Sequence, residues 1–247
     1  MEPGHRRVPR LFLERDLGGA ALALDEREGH YLGHVLRLKR GDELVVFNGR
    51  GTERHARIGV LQRRGGELEL LEEVVPQPES SLEITLLQSL AKADAMDLIV
   101  QKATELGVRT LVPVQTEFSV VRLDAERSAR RLEHWQRIAR SACEQSGRHR
   151  PPVIVPPRPL ADALVSLPPV ELKLALDTTS ATRLERDRPP PRNVVFAIGP
   201  EGGFGASDLE RLTRAGFERI GVGPRILRTE TAAIAVCALA QACWGDF

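Results

Sequence analysis

The sequence predicts an α/β chain in which a small β-rich domain precedes a mostly parallel sheet with helices on both faces. Three observations carry this. Short strand-like runs broken by turn residues fill positions 1–75, strands and helices alternate from Leu82 onward, and two glycine-rich blocks near the C-terminus each follow a predicted strand. Alternation of this kind builds parallel sheets because each strand returns through a helix lying on a sheet face.

The chain of 247 residues suits one large domain or two small ones. Its 42% apolar and 28% charged content is that of an ordinary globular protein. A net charge of +1 excludes a uniformly basic surface, so any nucleic-acid footprint has to come from local clusters of arginine. Cys143, Cys237 and Cys243 lack metal-ligand spacing and are expected as buried, reduced thiols. No apolar run reaches the roughly 18 residues of a membrane span, and the N-terminus lacks the charged-then-apolar order of a signal peptide. A cytoplasmic protein with no membrane contact is expected.

In positions 1–75, Leu44 to Phe47 reads as a short strand, Asn48 to Gly51 as a tight turn, and Arg54 to Val60 as the return strand. A second turn at Gly65 and Gly66 leads into Glu67 to Val75, and a short helix is expected around Glu26 to Arg37. His5, Arg6, Arg7 and Arg10, with Arg37, Lys39 and Arg40, form a basic cluster that is either a nucleic-acid footprint or a solvated terminus. His30 and His34 have helical metal-ligand spacing, but no glutamate follows His30, so no metal site is expected.

Pro76 to Ser81 reads as the boundary to a second domain, 76–247. There follow a strand from Leu82 to Gln88, a helix over Met96 to Leu106 closed by Gly107, a strand from Arg109 to Val114, and a long helix from Asp124 to about Gln145. Arg127, Arg130, Arg131, Arg137 and Arg140 give that helix a charged face; Arg148 and His149 lie just past its end. Val153 to Val155, a helix from Leu160 to Leu167, a strand from Glu171 to Leu176 and a charged, proline-rich loop from Glu185 to Arg192 complete this part.

The unbroken apolar run Val194 to Ile198 predicts a strand covered on both faces. After it comes Gly199, Pro200, Glu201, Gly202, Gly203, Phe204, Gly205. Ser207 and Glu210 have capping-box spacing, so a helix should start there, bury Leu209 and Leu212 and stop at Gly216. The strand Arg219 to Val222 leads into the second block, Gly221 to Ala233, where Thr229 is expected to cap a helix running through Ala240. Ligands of open α/β sheets bind beyond the carboxyl ends of strands, and both blocks fall there. Glycines let a ligand approach the backbone and allow positive φ. The blocks fit neither the dinucleotide fingerprint, since Ile226 stands where a third glycine is needed, nor a P-loop, since no Gly-Lys-Ser/Thr follows. The residues alone indicate a small-molecule pocket at a sheet edge.

GPEGGF (Gly199 to Phe204), followed after roughly twenty residues by GVGPRILRTETAA (Gly221 to Ala233), resembles the 16S rRNA (uracil-N3) methyltransferase family of the knotted SPOUT class. The resemblance continues upstream through LAKADAMDLIVQKATELGV (Leu90 to Val108), WQRIARSACEQSGR (Trp135 to Arg148) and, weakly, HYLGHVLRLKRGD (His30 to Asp42). It implies a PUA-like RNA-binding barrel over 1–75 and a trefoil-knotted methyltransferase domain over 76–247. It also implies that S-adenosyl-L-methionine sits where three loops converge, against Leu176, Gly199, Pro200, Glu201, Gly202, Gly223, Ile226, Leu227, Thr231 and Ala232. Arg228 and Glu230 are the catalytic candidates. Arg228 would stabilise charge on the uracil, and Glu230 is either the base or a residue that favours its helix terminus. Glu201 is either an anchor for a loop N–H or a ligand contact.

Arg7, Arg10, Arg37 and Arg148 are the candidate RNA contacts. The implied partners are 16S rRNA or the small ribosomal subunit and a second copy of the chain, with no metal. Where the resemblance places an arginine ahead of Ser119, this chain has Phe118, and that contact is not carried over. The alternatives are a SPOUT enzyme acting on another RNA or on a ribose 2′-hydroxyl, and a non-catalytic RNA-binding or ribosome assembly protein.

Overall fold

A computed structural model describes residues 8–62, 64–119, 124–184 and 188–247. The chain divides into two compact units, one of residues 1–78 with 143–150, the other of 79–142 with 151–247.

The first unit is a five-stranded sheet ordered β1-β3-β4-β5-β2, from β1 (Arg10–Phe12), β2 (Ala21–Leu24), β3 (Glu43–Phe47), β4 (Glu53–Gln62) and β5 (Gly65–Val74). The β1–β3 pair is parallel and the others antiparallel. Leu11, Leu13, Leu32, Leu44, Val46, Ile58 and Leu68 fill its core. The helix expected over Glu26 to Arg37 is α1 (Glu26–His30), which runs on into a π-helical turn, Tyr31–Val35. A capping box of Asp25 and Glu28 starts it.

Glu144, in the last turn of a long helix, belongs to this unit. It accepts the Phe12 N–H at 2.9 Å and the Tyr31 hydroxyl at 3.2 Å. Burial pushes its carboxyl above the usual range, against the pull of those two hydrogen bonds and of Arg10. Burial, reinforced by Glu144, pushes Tyr31 up to about 12. A raised carboxyl pKa means that the folded state binds the proton more tightly than the unfolded chain. The group's contribution is therefore most favourable below the unfolded pKa and is lost as pH rises through the folded value. Glu144→Gln is expected to gain stability relative to the native chain as pH climbs from about 4 to about 7. Urea denaturation across that range checks it, and a relative loss towards neutrality would contradict it.

In the second unit every strand pairing is parallel, in the order β12-β10-β11-β6-β7-β8, with β9 also on β7. The elements are β6 (Glu83–Ser89), α2 (Ala93–Glu105), β7 (Thr110–Gln115), α3 (Ala125–Ser146), β8 (Val153–Ile154), β9 (Arg158–Pro159), α4 (Leu160–Val165), β10 (Leu172–Leu176), β11 (Asn193–Ile198), α5 (Ala206–Arg214), β12 (Glu218–Ile220) and α6 (Thr229–Trp244). The apolar run of β11 is divided between two cores. Val194, Phe196 and Ile198 face α2 and α6, whose Met96, Ile99, Val236 and Ala240 join them, whereas Val195 and Ala197 meet Leu160, Leu212 and Phe217. Alternation along a strand with cover on both sides produces this split.

Two expected caps are not formed. The residue capping α5 is Gly205, and Ser207 lies inside the helix, its hydroxyl donating to Glu117 Oε2 at 3.0 Å. Leu209 is only half-buried, and Asp208 is buried instead, accepting the Glu117 N–H at 2.8 Å. Arg228 occupies the cap position of α6 with no side-chain bond, and Thr229 is the first helical residue. In both cases a hydroxyl is drawn to a distant partner instead of its own helix terminus. The strand expected over Arg219 to Val222 is Glu218–Ile220, leaving Gly221 and Val222 to the loop. Of the loop expected over Glu185 to Arg192, residues 185–187 lie outside the described residues.

The connection between β10 and β11 lies across the segment that leaves β12. The Gly221 N–H donates to Thr182 O at 2.8 Å, and the Ser180 hydroxyl donates to Arg219 O at 2.9 Å. From there the chain proceeds to α6 against β6 and β11, on the far side of β10 from β12. This crossing is the one that a threaded C-terminus requires.

Candidate active site

A cavity of about 280 Å³ opens where three loops meet at the carboxyl ends of β10, β11 and β12. Leu176, Asp177 and Thr178 come from the first loop. The second supplies Ile198 to Gly203, and the third Val222, Gly223 and Arg225 to Leu227, with Thr229 and Ala232 from α6. All the cofactor residues expected from the sequence line it except Thr231, which is exposed. Ile198, Gly203, Val222, Arg225 and Thr229 belong to the two blocks without having been named as cofactor contacts, and Asp177 and Thr178 were not anticipated.

Backbone shape dominates this site. A Cβ on Gly199 would lie 2.9 Å from the Gly203 carbonyl carbon and 3.0 Å from the Phe204 nitrogen, so the loop closes on itself only with glycine there. Gly203 and Gly223 adopt φ of +73° and +72°. A Cβ on Gly202, by contrast, would make ordinary contact with Phe118, 3.5 Å away. The Thr229 hydroxyl donates to the Gly199 carbonyl at 2.7 Å, tying the second loop to α6.

The carboxylates differ in their commitments. Asp177 accepts the Thr179 N–H and hydroxyl, both at 2.8 Å, and pairs with Arg219. Burial would raise its pKa, but the Thr179 bonds and Arg219 outweigh it and hold the carboxyl below its usual value. It stays ionised with its oxygens occupied, which suits a strut better than a proton acceptor. Glu201 lines the cavity, and its Oε1 is 3.5 Å from the Lys92 N–H at the start of α2.

Arg228 and Glu230 flank the cavity without lining it. Arg228 is exposed, Glu230 is half-buried in the first turn of α6, and neither side chain has a hydrogen bond or ion pair among the described residues. Cys237, on the buried side of α6, is pushed up to about 12 by burial and is chemically inert. No group of three or more metal-ligating side chains occurs among the described residues.

The RNA candidates divide. Arg7 lies outside the described residues. Arg10 is turned inward: its guanidinium pairs with the buried Glu53, stacks 4.6 Å above the Phe47 ring and donates to the Arg148 carbonyl at 3.3 Å. It is committed to the barrel, and Arg148 is half-buried beside it. Arg37 is exposed and carries the positive φ of +57° that no other non-glycine shares among the described residues. Nearby, Lys39 and Arg40 line an open groove with His30 and His34, whose rings stack 4.7 Å apart.

The chain matches known proteins along its length. Residues 78–241 match the RNA methyltransferase domain family and residues 24–71 the RNA methyltransferase PUA domain family. The ribosomal RNA small subunit methyltransferase E of Buchnera aphidicola is 32% identical over 98% of each chain. The Neisseria gonorrhoeae ribosomal RNA small subunit methyltransferase E, solved bound to S-adenosyl methionine, superposes with a TM-score of 0.90 at 39% identity over 97% of this chain and 99% of its own. A Legionella pneumophila methyltransferase, solved with bound cofactor SAM, gives 0.91 at 33% identity over 98% and 100%. Both domains and nearly the whole length are thus shared with proteins of one kind, and the chain belongs to the ribosomal RNA small subunit methyltransferase E family of RNA methyltransferases.

Proposed function

We propose that this protein transfers a methyl group from S-adenosyl-L-methionine to N3 of a uridine in 16S rRNA. The observation that carries the proposal is the three-loop cavity, walled by glycine backbone, in a chain whose relatives are solved with this cofactor at comparable identity. The cavity suits the cofactor chemically. Leu176, Ile198, Val222, Leu227 and Ala232 offer apolar walls for a purine ring, and the loop amides and carbonyls offer its hydrogen bonds. Glu201 is the carboxylate available to a cationic ligand, Asp177 being saturated.

The cofactor supplies an electrophilic methyl group on a sulfonium. The residues of this chain hold, orient and balance charge. The second and third loops fix the donor, which turns a bimolecular displacement into an oriented one. Arg228, exposed at the cavity edge, stabilises negative charge on the uracil as its N3 proton leaves. Glu230 either accepts that proton or favours the positive end of α6.

Two further elements support the reading. Arg37, Lys39 and Arg40 are exposed cations suited to RNA phosphates, and they replace Arg10 as the footprint of the barrel. Helix α6 is apolar around its whole circumference, yet Ile234, Ala235, Ala238 and Leu239 remain only half-buried. A helix of that kind calls for further cover, which a second copy of the chain provides in a homodimer. Among the described residues no helix is long and apolar enough to cross a membrane, and a ribosomal substrate places the protein in the cytoplasm.

Calorimetric titration with S-adenosylmethionine, NAD and ATP tests the cofactor assignment. Selective binding of the first at about one site per chain is expected; no binding, with or without small ribosomal subunits, would favour an RNA-binding or assembly role.

A further inference from the structure

We propose that Gln88 is a positioning residue for the cofactor loop, acting on it through Thr229. Gln88 is the penultimate residue of β6, is completely buried and does not line the cavity. Its Nε2 donates to Thr229 Oγ1 at 3.0 Å and to the Ser89 carbonyl at 2.9 Å. Thr229 Oγ1 in turn donates to the Gly199 carbonyl at 2.7 Å. Thr229 and Gly199 both line the cavity.

The donors can be ordered in only one way. The carbonyl of Gly199 accepts the Thr229 proton, so the hydroxyl oxygen is left to accept from Gln88. Rotating the amide would turn Oε1 towards the Ser89 carbonyl and set two acceptors together. The relay therefore runs from the β6 amide, through the first residue of α6, to the carbonyl that opens the glycine loop. It joins residues 141 and 30 positions apart in the sequence.

Packing alone does not explain a glutamine here. Its Oε1 is buried without a partner among the described residues, a penalty that an apolar side chain of similar shape would avoid. The amide also serves the adjacent Ser89 carbonyl, but only its donation to Thr229 reaches the glycine loop. Gly199 has no slack of its own, since Gly203 and Phe204 close on its other side. The carbonyl end of the loop is consequently set by the hydroxyl, and the hydroxyl by Gln88.

The inference rests on the cavity being the cofactor site, so the test pairs a readout that needs no cofactor with one that does. Hydrogen–deuterium exchange on the unliganded full chain is compared for the native protein, Gln88→Leu, Thr229→Val, Thr229→Ser and the Leu/Val double variant. Gln88→Leu should speed exchange about tenfold at residues 199–205 and 229–233 and leave α2 and the rest of β6 unchanged. Calorimetry should show S-adenosylmethionine binding weakened by about tenfold, with kcat at saturating cofactor unaffected. In exchange, Thr229→Val should match Gln88→Leu, Thr229→Ser should keep the native pattern, and the double variant should be no worse than either single one. Unchanged exchange in the two segments, or a rise spread evenly over the domain, overturns the proposal. Should the native protein fail to bind S-adenosylmethionine, the cofactor assignment falls, while the exchange pattern still decides whether the relay exists.

Discussion

Gly199→Ala is expected to weaken S-adenosylmethionine binding by at least about tenfold while the N-terminal barrel stays folded. The added methyl would meet backbone atoms at 2.9, 3.0 and 3.1 Å, all in Gly203 and Phe204. No side chain can swing aside, so the loop itself has to move. Its freedom is limited at both ends, because the Gly203 N–H closes a turn onto the Pro200 carbonyl at 2.9 Å and the Gly199 carbonyl is held by Thr229. Overpacking of this kind costs about 1–3 kcal/mol where neighbours can relax. Gly202→Ala serves as the control, since its methyl would touch Phe118 at an ordinary distance. Calorimetry should separate the two; equal affinities would show that the tight turn at Gly199 does not shape the binding site.

Arg228→Ala is expected to lower the single-turnover methylation rate by roughly 10²- to 10³-fold, the range for loss of one preorganised charge stabiliser. Cofactor affinity should hold, because Arg228 flanks the cavity without lining it. Among the described residues nothing else engages its guanidinium, so the side chain remains available to substrate. Arg228→Lys should recover part of the rate, since the charge returns without the planar fork. A loss of cofactor affinity equal to the loss of rate would move Arg228 from the reacting base to the cofactor.

The elements most legible in the sequence were those whose patterns reflect local physics. The run Val194 to Ile198 announced a strand covered on both sides, and β11 is buried that way. The glycine blocks were readable because only special backbone geometry requires so many glycines beside a strand end, and their loops do meet. Partners far apart in the chain were not readable. The strand β1 has three residues and pairs with β3 more than thirty positions on, so no periodicity marks it. Ser207 and Thr229 have cap-like spacing, but Glu117 and Gly199, distant in sequence, take their hydroxyls. Arg10 sits in a basic run, yet Glu53 and Phe47 claim it. Asp177 gave no signal either, since its importance lies in a pairing with Arg219 across the crossing.

The most direct test of the proposed activity is nucleoside analysis of small ribosomal subunits that lack the modification, incubated with the purified protein and methyl-labelled S-adenosylmethionine. Label in 3-methyluridine of 16S rRNA, absent when Arg228→Ala replaces the native protein, is the expected result. Label in a ribose 2′-O-methyl nucleoside, or no label despite cofactor binding, would contradict the assignment of uridine N3 as the methyl acceptor.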